Sequence, residues 1–245
     1  MSARGPQRDG VDDLVRDKSR TPAMFDAIAR RYDLLNHLLS FNIDRRWRRE
    51  LVNFAGVREG ERVLDVATGT ADVAIEFAKR TGAGAIVGLD PSAGMIAVGR
   101  EKLARASLAD RVTLVDGDAL ALPFDDASFD VVTIAFGLRN LPDYRRGVAE
   151  MTRVLRTGGR LLVLDFAPPR GARFMVQRAY FSTLLPFAGK AVSGYGGAYR
   201  YLVASIRDFM DEGGVRDLFG SHGLAGFEAR HMTGGIVMLY RGVKS

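Results

Sequence analysis

From Pro22 onward the chain moves between two hydrophobic rhythms. Met24, Phe25, Ile28, Tyr32, Leu35 and Leu39 recur at three- and four-residue steps, which gives a helix with one apolar face. Together with IDRRWRRELVNFAG this predicts a helical cap over residues 22–58, ahead of the first strand. Short apolar runs then alternate with helical ones. ERVLDVA, AIVGLD, VTLVDGDA, FDVVTIAF and GRLLVLDF read as five strands. Between them come ADVAIEFAKR, a helix opened by Pro91 and Ser92 that runs to about Ala106, and LPDYRRGVAEMTRVLR, stopped by Gly158 and Gly159. The strands read as apolar on both faces, as in a parallel sheet covered by helices on both sides. Beyond Ala167 the pattern breaks. It resumes as a helix from Asp211 to His222 and two strands, GFEARHM and GIVMLYRGV, joined at Thr233 and Gly234 as a hairpin. The predicted fold is α/β: a Rossmann-like doubly wound sheet, mostly parallel, with a C-terminal antiparallel hairpin strand. Residues 1–21, polar and without period, are expected to form a mobile arm, and 22–245 a single domain with an insertion at 168–205.

Composition narrows the class. With 245 residues, 47% hydrophobic and 26% charged, and a mean hydropathy of −0.02, the chain reads as a globular domain able to bury a core. The longest apolar stretch, Ala179 to Gly189, lies between Arg178 and Lys190, contains Pro186 and is too short to cross a bilayer. No secretory signal is expected at the N-terminus, and the expected location is cytoplasmic. Zero cysteines exclude disulfides, thiolate ligands and a thiolate nucleophile. His37, His222 and His231 are too scattered for a metal site, so no metal is expected. The net charge of +6 favours an anionic partner such as nucleic acid, a membrane surface or an acidic small molecule. The plainer alternative is an arginine-rich enzyme.

The candidate chemistry lies at the carboxyl ends of the strands, where open α/β sheets bind ligands. Strand one ends VLDVATGTAD, with Asp65 near its tip and Thr68, Gly69 and Thr70 in the turn; strand two ends in Asp90, and strand three in Asp118 and Ala119. A dinucleotide needs GxGxxG, and this turn has one glycine with Asp72 in the next helical turn. No P-loop is present. The carboxylates instead suit a nucleoside with a cationic tail, Asp90 accepting the ribose hydroxyls and Asp118 an adenine amino group. Each aspartate alone reads equally as a turn or cap residue. Three at successive strand tips make that reading weaker.

This constellation resembles the class I S-adenosylmethionine-dependent methyltransferases over about Glu61 to Ala167, through VLDVATGTAD, GLDPSAGMIAVGREKL, GDALALPFDDASFDVVTIAFGLRN and VLRTGGRLLVLDF. FDAIARRYDLLNHLLSFNIDRRWRREL, FGLRNLPD, YRYLVASI and TGGIVMLYRGVK narrow the resemblance to the UbiE/MenG family, the C-methyltransferases of menaquinone and ubiquinone synthesis. The resemblance implies S-adenosylmethionine as cofactor, held by Thr70, Asp90, Asp118 and Ala119, with Asp65 beside them. It also implies a polyprenylated quinol as acceptor. Three departures stand out: Ala135 where some members carry serine, Thr68 and Ala71 where glycine is frequent, and no acidic residue ahead of YRYL.

Methyl transfer from a sulfonium is an in-line displacement that needs neither metal nor covalent intermediate. Arg139 and Asn140 are the candidates for activating the acceptor, Arg139 by stabilising its phenolate, since a guanidinium is a poor base. The plain alternative for Arg139 is a surface pair with Asp143. Tyr199, Arg200 and Tyr201 are candidates for the acceptor pocket. Aromatic residues from Phe174 to Tyr201, interleaved with Arg170, Arg173, Arg178 and Lys190, suit a pocket mouth resting on an anionic bilayer, or else an ordinary helical lid. The reading is therefore C-methylation of demethylmenaquinol, with peripheral membrane contact, no nucleic-acid partner and a homodimer as a possible assembly. The alternatives are the ubiquinone pathway or another small aromatic acceptor, an RNA methyltransferase, and a non-catalytic membrane scaffold.

Overall fold

The computed structural model describes residue 18 and residues 21–40, 42–168 and 196–245, the side chains of 34–39 and 196–200 excepted. Two helices come first, α1 (Thr21–Ser40) and α2 (Asp44–Ala55). The alternating part follows as β1 (Arg62–Val66), α3 (Asp72–Arg80), β2 (Ala85–Asp90), α4 (Ala93–Arg105), β3 (Val112–Asp116), β4 (Phe129–Ala135), α5 (Tyr144–Val154) and β5 (Leu155–Phe166). After α6 (Gly196–Arg207) and α7 (Glu212–Gly220), β6 (Leu224–Met232) and β7 (Val237–Lys244) close the order.

The seven strands form one sheet in the order β3-β2-β1-β4-β5-β7-β6. The first five are parallel, and β7 runs antiparallel to both β5 and β6. The chain steps outward from β1 to β3 and then returns to the other side of β1 as β4. The switch point of the doubly wound sheet therefore falls between β1 and β4.

Side chains alternate along each strand between two cores. Val63, Val131 and Leu162 join Trp47, Leu51, Phe77 and Ile96 on one face. Leu64, Val132 and Val163 join Met151, Phe219 and Tyr240 on the other. Burial on both faces is what makes these strands read as continuous apolar runs. The outer strand β3 departs from that reading, because Thr113 and Asp116 are exposed at the sheet's edge.

Local signals explain the boundaries. Ser92 caps α4, its hydroxyl accepting from Met95 N, and Asp143 and Asp211 cap α5 and α7 in the same way. Gly56, at φ 56°, ends α2 in the left-handed region. One expectation is corrected: α5 stops at Val154 rather than at Gly158, and β5 begins at once with Leu155. The two glycines instead let β5 bulge, so that its pairing with β4 jumps from Leu155 to Arg160.

Candidate functional site

A cavity of about 390 Å³ opens at the carboxyl edge of the sheet, over the switch point. Its floor is the ends of four strands and the turns after them: Asp118 and Ala119 beyond β3, Asp90 and Pro91 at β2, Ala67 and Gly69 after β1, and Ala135–Gly137 and Asn140–Pro142 at and after the end of β4. Its roof comes from α1 and the residues before it, through Lys18, Thr21, Phe25 and Tyr32. Backbone strain gathers here. Ala67 (φ 53°), Ala71 (φ 66°) and Phe136 (φ 56°) all hold the left-handed region without being glycine. Gly69 (φ 57°) supplies the one turn residue that adopts it freely.

Asp90 is the best placed of the carboxylates. It lies in the cavity wall, 8% exposed, with Oδ2 accepting from Gly69 N at 2.8 Å and Oδ1 from Ser92 N at 2.9 Å. Those bonds join the ends of β1 and β2 and leave each oxygen a lone pair for a hydroxyl. Burial pushes its carboxyl up to about 6, against the pull of the Ser92 and Gly69 amides. Asp118, which also lines the cavity, sits two residues beyond the end of β3 with Oδ1 held by Leu120 N.

Asp65 and Thr70 stand differently from the expectation. Asp65 is fully buried beneath the turn and is not part of the cavity wall; it accepts from Thr68 Oγ1 at 2.7 Å and Thr133 Oγ1 at 2.9 Å. Burial pushes it up to about 7, against those two hydroxyls. Its place is that of a strut for the Thr68–Gly69 turn. Thr70 turns away from the cavity and donates to Asp33 Oδ1 of α1, beside Lys102, which also binds Asp33 at 2.8 Å and Asp72. Asp26, the residue after Phe25, accepts from Ser92 Oγ and Gly94 N. Carboxylates of α1 thus fasten the roof to two of the four turns, those after β1 and β2.

Beyond β4, Arg139 is neither a surface residue nor a cavity residue. Its guanidinium pairs with Asp165 Oδ1 at 2.7 Å and donates to Phe136 O at 2.6 Å, while its backbone N reaches Asp165 Oδ2. The alternative, a surface pair with Asp143, is not what the structure shows: Arg139 pairs with Asp165, and Asp143 caps α5. The guanidinium thus lies behind the wall and fixes the FGLRN turn, rather than lining the acceptor side where phenolate stabilisation was expected of it. Asn140 does line the cavity, donating to Phe136 O and accepting from the buried Tyr201 hydroxyl at 3.1 Å. Tyr201 thereby ties α6 to the site. The side chains of Tyr199 and Arg200 and the aromatic and basic run of 169–195 lie outside the described residues.

Two participants were absent from the sequence reading. Asp165 ends β5 by the same strand-tip rule that picked out Asp65 and Asp90. Lys18, in the segment read as an arm, enters the wall and donates from Nζ to Arg139 O at 2.6 Å and to the Tyr144 hydroxyl. No periodic signal marked it.

Sequence-distant segments converge behind the cavity. Trp47 of α2 packs on Phe136 and Phe166, with ring centroids 5.9 and 6.0 Å away, and donates from Nε1 to Thr233 Oγ1 at 2.8 Å. RRWRREL, FGLRN, VLDF and TGGIV therefore meet in one aromatic cluster.

The fold has solved counterparts. A methyltransferase from Aquifex aeolicus described as S-adenosylmethionine-dependent is 16% identical, with a TM-score of 0.58, over 81% of this chain and 89% of its own. Phosphoethanolamine N-methyltransferase 2 of Haemonchus contortus, solved with S-adenosylmethionine, has a TM-score of 0.62 and 17% identity over 80% of this chain and 52% of its own. At these identities the likeness is one of fold. The sheet order and the cleft over the switch point are those of the Rossmann-like class I methyltransferase fold. The chain belongs to the ubiE/COQ5 methyltransferase family, whose model matches residues 14–244. Among its curated relatives, a ubiquinone/menaquinone biosynthesis C-methyltransferase from Geobacter sulfurreducens is 46% identical over 94% of this chain and 91% of its own. A demethylmenaquinone methyltransferase from Thermus thermophilus is 45% identical over 89% of this chain and 99% of its own.

Proposed function

We propose that the protein methylates a ring carbon of a polyprenylated quinol, demethylmenaquinol, to give menaquinol. The observation that carries this reading is the two-ended character of the cleft. At the β2 and β3 end, Asp90, Asp118 and the Gly69 backbone suit the ribose, amino and amino-acid groups of S-adenosylmethionine. At the β4 end the wall turns apolar, with Phe25, Phe136, Leu141 and Pro142 around Asn140. A flat ring fits there, and among the described residues of the wall Lys18 is the one cation.

When bound, the cofactor supplies an electrophilic methyl group. The protein's own residues hold the acceptor in line with it, exclude water and take up the phenolic proton, since a phenolate directs electron density onto the neighbouring ring carbon. The relatives' names support the quinone class, and the Thermus thermophilus name favours the menaquinone branch. A prenyl tail leaving such a cleft needs an apolar surface, which supports peripheral contact with a bilayer. Among the described residues no helix is long and apolar enough to cross one.

The test is incubation of the purified protein with labelled S-adenosylmethionine and reduced demethylmenaquinone in detergent. Label recovered on the quinone ring carbon is the expected result. Label recovered only on ubiquinone precursors or another aromatic acceptor would move the assignment to that substrate.

A further inference from the structure

The reaction needs a group that removes the acceptor's phenolic proton, and among the described residues in or next to the wall few qualify. Asp90 stands at the cofactor end with both oxygens bound to backbone amides, and Asp118 lies beyond it. Arg139 is locked to Asp165 and stays charged at any working pH. Tyr144 is pushed up to about 12 by burial and by Asp165, which makes it a poor partner for a phenol. Lys18 remains. Its backbone is held by Thr21 Oγ1, which donates to Lys18 O at 2.6 Å, and its Nζ is seated on Arg139 O and the Tyr144 hydroxyl. It enters the wall beside Asn140, after β4, two strands away from Asp90 and so about 10 Å across the sheet.

We propose that the Lys18 amine is the general base that takes the phenolic proton of the acceptor. A neutral amine has two N–H donors and one lone pair. The donors are matched by Arg139 O and the Tyr144 oxygen, which leaves the lone pair as the group still able to act. The surroundings shift the amine toward its neutral form: burial first, then the Arg139 guanidinium, lower Lys18 to about 8, against the opposing pull of Asp165 and Asp208. The neighbouring phenols of Tyr144 and Tyr201 are both raised, so they stay neutral beside it.

The step balances. The acceptor's O–H bond breaks and an N–H bond forms on Lys18, leaving a phenolate and an ammonium. The ring carbon then takes the methyl group as the sulfonium C–S bond breaks. Loss of the ring C–H proton to water restores aromaticity, and Lys18 returns its proton to the oxygen. One proton is released per turnover and the amine is regenerated.

The proposal rests on quinol methylation, and its test separates the two. Lys18→Arg keeps donors for Arg139 O and Tyr144 but offers no usable lone pair. The expected result is a fall in kcat of about 100-fold or more, with S-adenosylmethionine affinity by calorimetry and melting temperature unchanged. Since the chain has no cysteine, Lys18→Cys gives a unique thiol that 2-bromoethylamine converts to thialysine, an amine of lower pKa. That treatment should restore turnover and move the acidic limb of the pH–kcat profile to lower pH. With carbon-13 in the reagent, the same group's titration is read directly by NMR and should coincide with the limb. If Lys18→Arg does not fold, the alkylated variant decides alone. A Lys18→Arg rate within a few-fold of wild type, or a limb that stays in place in the thialysine enzyme, overturns the assignment of Lys18. A wild-type enzyme that methylates no quinol overturns the functional reading beneath it.

Discussion

Arg139 and Asp165 form a closed pair between the ends of β4 and β5, Nη1 to Oδ1 at 2.7 Å, with side chains 7% and 0% exposed. Both Asp165 oxygens also receive backbone amides, from Arg139 and Phe166. The pair therefore fixes the turn that carries Phe136 and Asn140 into the cleft.

Removing one partner should be costly. Arg139→Leu leaves Asp165 charged and buried, and the expected loss is about 3–5 kcal/mol in urea unfolding. Adding Asp165→Asn to the same chain should recover part of that loss. Equal stability of wild type and Arg139→Leu would contradict the closed pair.

Asp90 should control cofactor affinity. Asp90→Asn replaces a charged acceptor of ribose hydroxyls by a neutral one, at roughly 1.5–3 kcal/mol, or about 10- to 100-fold in Kd by calorimetry. The carboxylate is the form that accepts both hydroxyls, and burial holds its pKa at about 6 in the free protein. Wild-type affinity should accordingly be level at pH 7 to 8 and fall as the pH drops through 6. The Asp90→Asn variant should lack that fall.

Asp65 should make the free protein more stable in acid than near neutrality. Its folded pKa of about 7 lies above the ordinary 3.8, so between these values the folded state binds the proton and the unfolded chain does not. Stability then decreases as pH rises through this window, by roughly 1.4 kcal/mol per unit, and is level above it. Asp65→Asn removes the titration. The stability difference between variant and wild type should shift toward the variant from pH 4 to 7 and then hold, as read by denaturant unfolding without cofactor.

Gly137 should tolerate no side chain. A Cβ there would lie 2.7 Å from the Ala67 Cβ and 2.9 Å from Ile134 Cγ1, where β1 and β4 end together. Gly137→Ala is expected to lose about 1–3 kcal/mol. Gly213→Ala meets only Asp211 Oδ1 at 3.5 Å and serves as the near-neutral control.

The alternating strands and helices were legible because each strand between two helical layers is apolar throughout, and the period changes at every turn. The order of β7 and β6 was not, since a hairpin pattern fixes pairing but not which strand faces β5. Asp90 and Asp118 could be placed at the cleft because strand tips converge there in any open sheet. The depth of Asp65 was not legible: a strand residue one pleat before the turn points under it, and only the pairing with Thr68 and Thr133 shows that. Arg139 looked catalytic because its partner, 26 residues away on β5, is invisible to local patterning. Lys18 had no signal, since a single cation in an aperiodic segment carries none until the chain folds onto Tyr144.

The position of β7 has a consequence for how the molecule is made. It lies between β5 and β6, so β6 has no other strand to pair with. During synthesis strand β6 must wait, unpaired, until Val237–Lys244 have left the ribosome and taken their place beside β5. Shortening the chain by these few residues would therefore strip away far more structure than it deletes, and would bare the flank of β5 as an adhesive edge.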